Sequence, residues 1–360
     1  MNNGPSIWSR LADVASLVAT PLAPSHYLAL VSPLAATHAL QARVVAVRDE
    51  TADARTLTLR PGRGWRPHRA GQHVRVSLAI DGRIATRTYS ISSSPDRRDG
   101  RIEITVKAVL GGRVSPVLAR EVRPGAVLSL GQPEGALVGP VGGSRPALFV
   151  TAGSGITPIA SMVRTFAARG AMPDVAHLHY APTGPEVIFG DELRALAAAH
   201  PWYRLIIVHT RDDPRRVSAD RLDELVPDWR TRETWACAPR GLLEAIAACF
   251  EREGRTSALH IERFGAAIVP VPASATGGRV RFEATGTATR ADGRTPLLRV
   301  AEAAGVHAPH GCRMGICHTC DATLLSGCVR DLRTGDQIDE PGRRIQICVC
   351  AAAGDVDLAL

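Results

Sequence analysis

The sequence predicts a multidomain protein of three successive parts: an antiparallel β-barrel, an α/β domain on a parallel sheet, and a small cysteine-bearing unit. Three observations predict it. Residues 39–143 carry short alternating apolar segments punctuated by Gly and Pro, the pattern of an antiparallel barrel. Residues 144–264 alternate apolar strands with helical patterns, which calls for a parallel sheet covered on both faces. Of eight cysteines, Cys312, Cys317, Cys320, Cys328, Cys348 and Cys350 crowd into the last fifty residues.

At 360 residues the chain is too long for one ordinary compact domain. Its 45 % apolar content supplies several cores. The formal charge of +8 is spread evenly: Arg alternates with Asp and Glu throughout, and Lys107 is the only lysine. With no block of like charge and no basic–aromatic interleaving, nucleic acid is not expected as a partner. The first ten residues lack the basic stretch and apolar core of a signal peptide. The apolar stretch 11–40 is broken by Pro21, Pro24 and Pro33, short of the roughly 18 residues a membrane span needs. These features predict a soluble, cytoplasmic protein with no transmembrane segment, peripheral to a membrane only through its partner.

Barrel strands are expected at 42–47, 56–59, 73–78, 87–91, 101–106 and 127–130, preceded by an N-terminal arm over 1–38. Parallel strands follow at 147–151, 175–180, 204–210, 234–238 and 258–261, with helices at 158–168, 191–200, 219–225 and 242–253. Residues 265–278, rich in Ala, Pro and Gly and free of charge, read as a linker to the C-terminal unit, 279–360.

In that unit Cys312, Cys317 and Cys320 have the spacing C-x4-C-x2-C, with Cys348 following 28 positions later. A [2Fe–2S] cluster needs four thiolates, and this is its plant-type spacing. Zinc sites favour close Cys or His pairs on both sides, and the four residues between the first two cysteines fit the iron–sulfur loop better. The segment resembles plant-type ferredoxins, which implies a β-grasp fold. In that family the fourth ligand precedes an Asp-Val pair by seven positions; Asp355-Val356 then selects Cys348 over Cys350. Cys328 and Cys350 are left as small buried side chains.

Arg87-Thr88-Tyr89-Ser90 resembles the R-x-Y-S/T signature of the ferredoxin–NADP reductase superfamily. There the cation meets the FAD pyrophosphate, the aromatic ring lies on the isoalloxazine, and the hydroxyl sits near flavin N5. Gly111-Gly112-Arg113-Val114-Ser115 opens a short expected helix at 115–119, and glycines before a hydroxyl at a helix start suit an anion. The superfamily has the same G-G-x-V-S element and the Ala70-Gly71-Gln72 run.

Gly153-Ser154-Gly155-Ile156-Thr157-Pro158 follows an expected strand and starts a helix, matching the superfamily's G-x-G-x-x-P nucleotide loop. The last strand reads Cys237-Ala238-Pro239, where the family has Cys-Gly-Pro; the cysteine lies beside the nicotinamide, and the Ala238 methyl narrows entry. Glu262-Arg263-Phe264 resembles the E-x-aromatic terminus whose ring covers the flavin and whose carboxylate helps organise hydride transfer. Thr210-Arg211 and Arg216 fall where NADP-dependent relatives bind the 2′-phosphate with hydroxyl and guanidinium groups. NADPH is therefore expected as the donor, with NADH the alternative.

Together the resemblance implies a flavin- and iron–sulfur-containing reductase that passes electrons from NAD(P)H through FAD and the [2Fe–2S] cluster to an oxygenase or desaturase. Residues 20–34 resemble the subgroup serving membrane di-iron acyl desaturases and alkane hydroxylases. Two alternatives stand beside this: the reductase of an aromatic-ring or haem monooxygenase, and a non-enzymatic redox sensor.

Overall fold

The computed structural model describes residues 34, 40–80, 82–140, 145–264, 271–272, 275–311, 313, 315 and 318–360. The expected N-terminal arm, apart from Leu34, lies outside the described residues, as do much of the expected linker and Cys312 and Cys317. Among the described residues, no helix is long and apolar enough to cross a membrane.

The first sheet holds β1 (Gln41–Asp49), β2 (Ala54–Pro61), β3 (His73–Ile80), β4 (Arg83–Ser90), β5 (Ile102–Lys107) and β6 (Val127–Leu130), in the order β4-β3-β6-β1-β2-β5. The β1–β2, β1–β6, β2–β5 and β3–β6 pairs are antiparallel. Ile91, just after β4, bridges Ile104 of β5, so the two outer strands meet and the sheet closes. Closure removes exposed edges. Val44, Leu57, Leu59, Val76, Ile104 and Leu118 fill the interior. The helix expected over 115–119 is a π-helical turn, Val117–Glu121.

The second sheet holds β7 (Ala147–Ala152), β8 (Val175–Ala181), β9 (Tyr203–His209), β10 (Glu233–Cys237) and β11 (Leu259–Glu262), in the order β11-β10-β7-β8-β9. β7–β8 and β8–β9 run parallel. Every residue of β8 is buried, as a strand covered on both faces requires. The helices are α1 (Ile156–Ala168), α2 (Gly190–Ala199), α3 (Ala219–Leu225) and α4 (Arg240–Arg252). α1 starts two residues earlier than expected, because Pro158 falls in its first turn, where a missing N–H costs nothing. The strand order reverses at β7, the switch point at which open α/β sheets bind ligands.

The C-terminal sheet holds β12 (Gly278–Phe282), β13 (Thr287–Ala291), β14 (Asp321–Asp331), β15 (Gln337–Ile338), β16 (Arg344–Gln346) and β17 (Cys350–Ala359). Its order is β13-β12-β17-β14-β15, with β16 pairing β14. β12 and β17 are parallel, while β14 meets β17 antiparallel. Helix α5 (Leu297–Ala303) buries Leu297, Leu298, Val300 and Ala301 in one core with Phe282, Leu324, Val356 and Leu358. A mixed sheet with one packed helix is the β-grasp arrangement the resemblance implied.

Candidate active site

Arg87, Thr88, Tyr89 and Ser90 are the last four residues of β4. Ser90 is buried, and its hydroxyl has no hydrogen-bond partner among the described residues. An orphaned buried hydroxyl leaves a polar group to be satisfied, and a flavin ring nitrogen fits that demand. Val114 is buried, and the Ser115 hydroxyl accepts the Val109 N–H at 3.1 Å, which closes the Gly111–Gly112 loop. That leaves the Ser115 proton available to an incoming phosphate oxygen.

The three serines after the motif do work that the sequence did not announce. The Ser161 hydroxyl donates to the Ser93 carbonyl at 2.6 Å, and Thr165 Oγ1 donates to Ser94 Oγ at 3.1 Å. Arg164 Nη1 donates to the Ser92 carbonyl at 2.8 Å, while its Nε and Nη2 each meet Glu192 at 2.6 Å. Glu103 lies 3.3 Å from the same guanidinium, and the Phe189 ring lies 4.4 Å away. All of these residues belong to one compact unit. The helix that follows the nucleotide loop is thereby braced against the segment that follows Ser90.

At the end of β7, Gly153 has φ 51° and begins a short 3-10 turn, Gly153–Gly155, that leads into α1. A Cβ at Gly153 would meet nothing within 4 Å, so this backbone faces open space on the side a dinucleotide would approach. Thr157 and Pro158 are buried in the first turn, and the Thr157 hydroxyl donates to the Ser154 carbonyl at 3.0 Å.

Beneath this loop lies a buried polar chain. Thr151 Oγ1 is 2.8 Å from His177 Nε2 and 2.7 Å from His179 Nδ1, and His177 Nδ1 is 2.7 Å from the Tyr203 hydroxyl. The threonine has a single proton, so it gives one bond and receives the other. Burial, then the neighbouring His179, holds His177 far below its ordinary pKa, and burial, then His209, brings His179 to about 3. Both rings are neutral and tie β7 to β8 and β9 immediately under the loop.

Cys237 is buried at the end of β10, and burial, then the Glu262 carboxylate, pushes its thiol well up. Cys237 and Glu262 are thus brought together, and the cysteine is a neutral thiol. Phe264 is 41 % exposed, two residues beyond β11, and Ala238 is half-buried. Thr210 and Arg211 follow β9 with exposed side chains, Arg211 having Glu186 at 4.0 Å, and Arg216 is exposed.

Of the four expected cluster ligands, the structure describes Cys320 and Cys348; both are buried. A hydrogen bond from the Cys348 thiol lowers the pKa of Cys320 to about 7. Cys350, first residue of β17, is held up at about 12, by burial first and Asp331 second. Cys320 and Cys348 thus interact with each other and Cys350 lies apart from the pair, a donor set that suits iron. Cys350 is buried as expected of a spare cysteine, whereas Cys328 is only partly covered.

Three family models match in succession: an oxidoreductase FAD-binding domain over residues 42–138, an oxidoreductase NAD-binding domain over 149–245, and a 2Fe-2S iron-sulfur cluster binding domain over 282–353. The chain is 45 % identical to an NADPH oxidoreductase of Mycobacterium tuberculosis, over 97 % of this chain and 91 % of that protein. It is 31 % identical to the glycine betaine monooxygenase reductase subunit of Pseudomonas aeruginosa, over 87 % of this chain and 93 % of that one. The solved structure of phthalate dioxygenase reductase shares the fold, with a TM-score of 0.63 at 23 % identity over 89 % of this chain and 97 % of that one.

Proposed function

Since the chain belongs to the ferredoxin reductase superfamily with a C-terminal [2Fe–2S] domain, an oxidoreductase group that takes NAD(P)H and FAD and serves oxygenases, we propose that it carries electrons from NADPH to a membrane di-iron fatty-acyl desaturase or alkane hydroxylase. The observation that carries the donor assignment is the chain-long likeness to a protein named NADPH oxidoreductase. The partner assignment rests on residues 20–34, which resemble the desaturase and hydroxylase subgroup. The membership in an enzyme family leaves no ground for the non-enzymatic sensor.

We assign 39–143 to the flavin domain, 144–264 to the nucleotide domain and 279–360 to the ferredoxin domain, after an arm over 1–38 and with a linker over 265–278. When bound, the flavin accepts two electrons as hydride and the cluster passes them on singly. Arg87 pairs with the pyrophosphate, aided by Gly111, Gly112, Val114 and Ser115, while Tyr89 and Ser90 hold the ring. Gly153, Gly155, Thr157 and Pro158 shape the nucleotide loop, whose open backbone lets the dinucleotide phosphates approach. The neutral Cys237 thiol, Glu262 and Phe264 line the nicotinamide position, excluding water and orienting the ring. Cys312, Cys317, Cys320 and Cys348 ligate the cluster.

Thr210, Arg211 and Arg216 read the 2′-phosphate. Arg211→Ala should weaken NADPH by about 1.5–3 kcal/mol, the worth of a charged hydrogen bond, and leave NADH nearly unchanged. Dissociation constants for both nucleotides check this; an equal loss for the two removes Arg211 from 2′-phosphate recognition.

The relatives named as monooxygenase reductases favour a second reading, delivery to a monooxygenase. Reconstitution decides between them. NADPH-dependent product with membranes bearing a di-iron desaturase or alkane hydroxylase, and none with a soluble monooxygenase, supports the first reading; the reverse pattern replaces it.

A further inference from the structure

The structure assigns to Arg333 a role toward the cluster: we propose that its guanidinium sets the reduction potential and positions the ligand loop. β14 ends at Asp331, whose backbone pairs with Cys350 at the start of β17. Asp331 Oδ1 accepts the Arg333 backbone N–H at 2.8 Å and its Nε at 3.1 Å, and Oδ2 accepts Nη2 at 2.6 Å. Three bonds to one carboxylate fold the arginine back over its own turn. The carboxylate side chain is 11 % exposed and the guanidinium 33 %.

The remaining nitrogen faces the ligand loop. Nη1 donates to the Gly315 carbonyl at 2.9 Å, and Gly315 lies between Cys312 and Cys317 in sequence. Gly315 has φ 69°; a Cβ there would come within 2.7 Å of Arg333 Nη1 and 2.9 Å of a Val349 methyl. Val349 stands between Cys348 and Cys350, and its carbonyl accepts the Leu332 N–H at 2.8 Å. The turn holding Arg333 is therefore clamped to both cysteine-bearing segments at once. The hydrogen bond to Asp331, working against partial desolvation, holds the guanidinium pKa above its ordinary value and keeps it protonated.

The Asp331–Arg333 pair is thus a fixed dipole with its positive end on the loop. Reduction adds one negative charge to a thiolate-ligated cluster, and a fixed cation nearby favours that state. Removing the cation should lower the potential, and removing its counter-charge should raise it. A purely structural brace would instead move both variants the same way.

The test is an EPR-monitored redox titration of the full-length holoprotein. Arg333→Gln should shift the cluster equilibrium about tenfold toward the oxidised form, about 59 mV for one electron. Asp331→Asn should shift it the other way, and Arg333→Lys, which keeps the charge, should stay within about threefold of the parent. If Arg333→Gln does not retain its cluster, Asp331→Asn decides by its sign: a higher potential upholds the proposal. Shifts of the same sign in the Gln and Asn variants, or no shift in either, overturn it.

Discussion

Cys348→Ser is expected to leave the protein yellow but without its cluster, iron falling from about two per chain to near zero. Cys350→Ser should keep both iron and colour. The two residues are close in sequence and both buried, so covering alone does not separate them. The thiol hydrogen-bonded to Cys320 is that of Cys348, whereas Cys350 opens β17 opposite Asp331 and stays protonated up to about 12. Iron analysis and the visible spectrum check this. Iron retained in the first variant and lost in the second would exchange their roles.

Arg164→Ala should lower the free energy of unfolding by about 3–5 kcal/mol, the usual loss when one partner of a buried ion pair is removed. The Arg164 side chain is 14 % exposed and is shared among Glu192, Glu103, the Ser92 carbonyl and the Phe189 ring. Its removal leaves Glu103, 12 % exposed, with Arg97 at 2.6 Å as its remaining cation, and Glu192 without its partner. Arg164→Ala with Glu192→Gln should cost less than the sum of the two single changes, because the carboxylate left behind no longer carries charge. Denaturant unfolding of the holoprotein measures both, and a loss under about 1 kcal/mol would mean that the brace contributes little.

Much of this was legible in the sequence because it is local. Period-two segments and strand–helix alternation reproduce the barrel and the parallel sheet, with edges differing by a residue or two except at β4, which starts four residues before the expected 87–91. The turns of chemistry, R-x-Y-S, G-x-G-x-x-P and C-x4-C-x2-C, are contiguous and carry their own geometry. What stayed hidden is long-range. Arg164 meets partners 28, 61 and 72 residues away, and in so Arg-rich a chain nothing marks that arginine out. Ser92-Ser93-Ser94 was visible as a run, but its value appears only once α1 packs against it. His177 and His179 alternate within β8 and so share a face, a signal that could have exposed the buried Thr151 network. Asp331 and Arg333 are two residues apart, yet the Gly315 carbonyl they serve lies across a turn of the fold.

The central claim is that electrons pass in series, through the flavin and then the cluster. The direct measurement compares two reactions of full-length Cys348→Ser against the parent. NADPH should still reduce ferricyanide at close to the parent rate, since the residues proposed to bring nicotinamide and flavin into near-attack geometry lie outside the cluster segment. Turnover of the partner oxygenase or desaturase should collapse, because the one-electron exit is gone. If the iron-free variant drives the partner at full speed, the ferredoxin domain is not the conduit and the series mechanism is wrong.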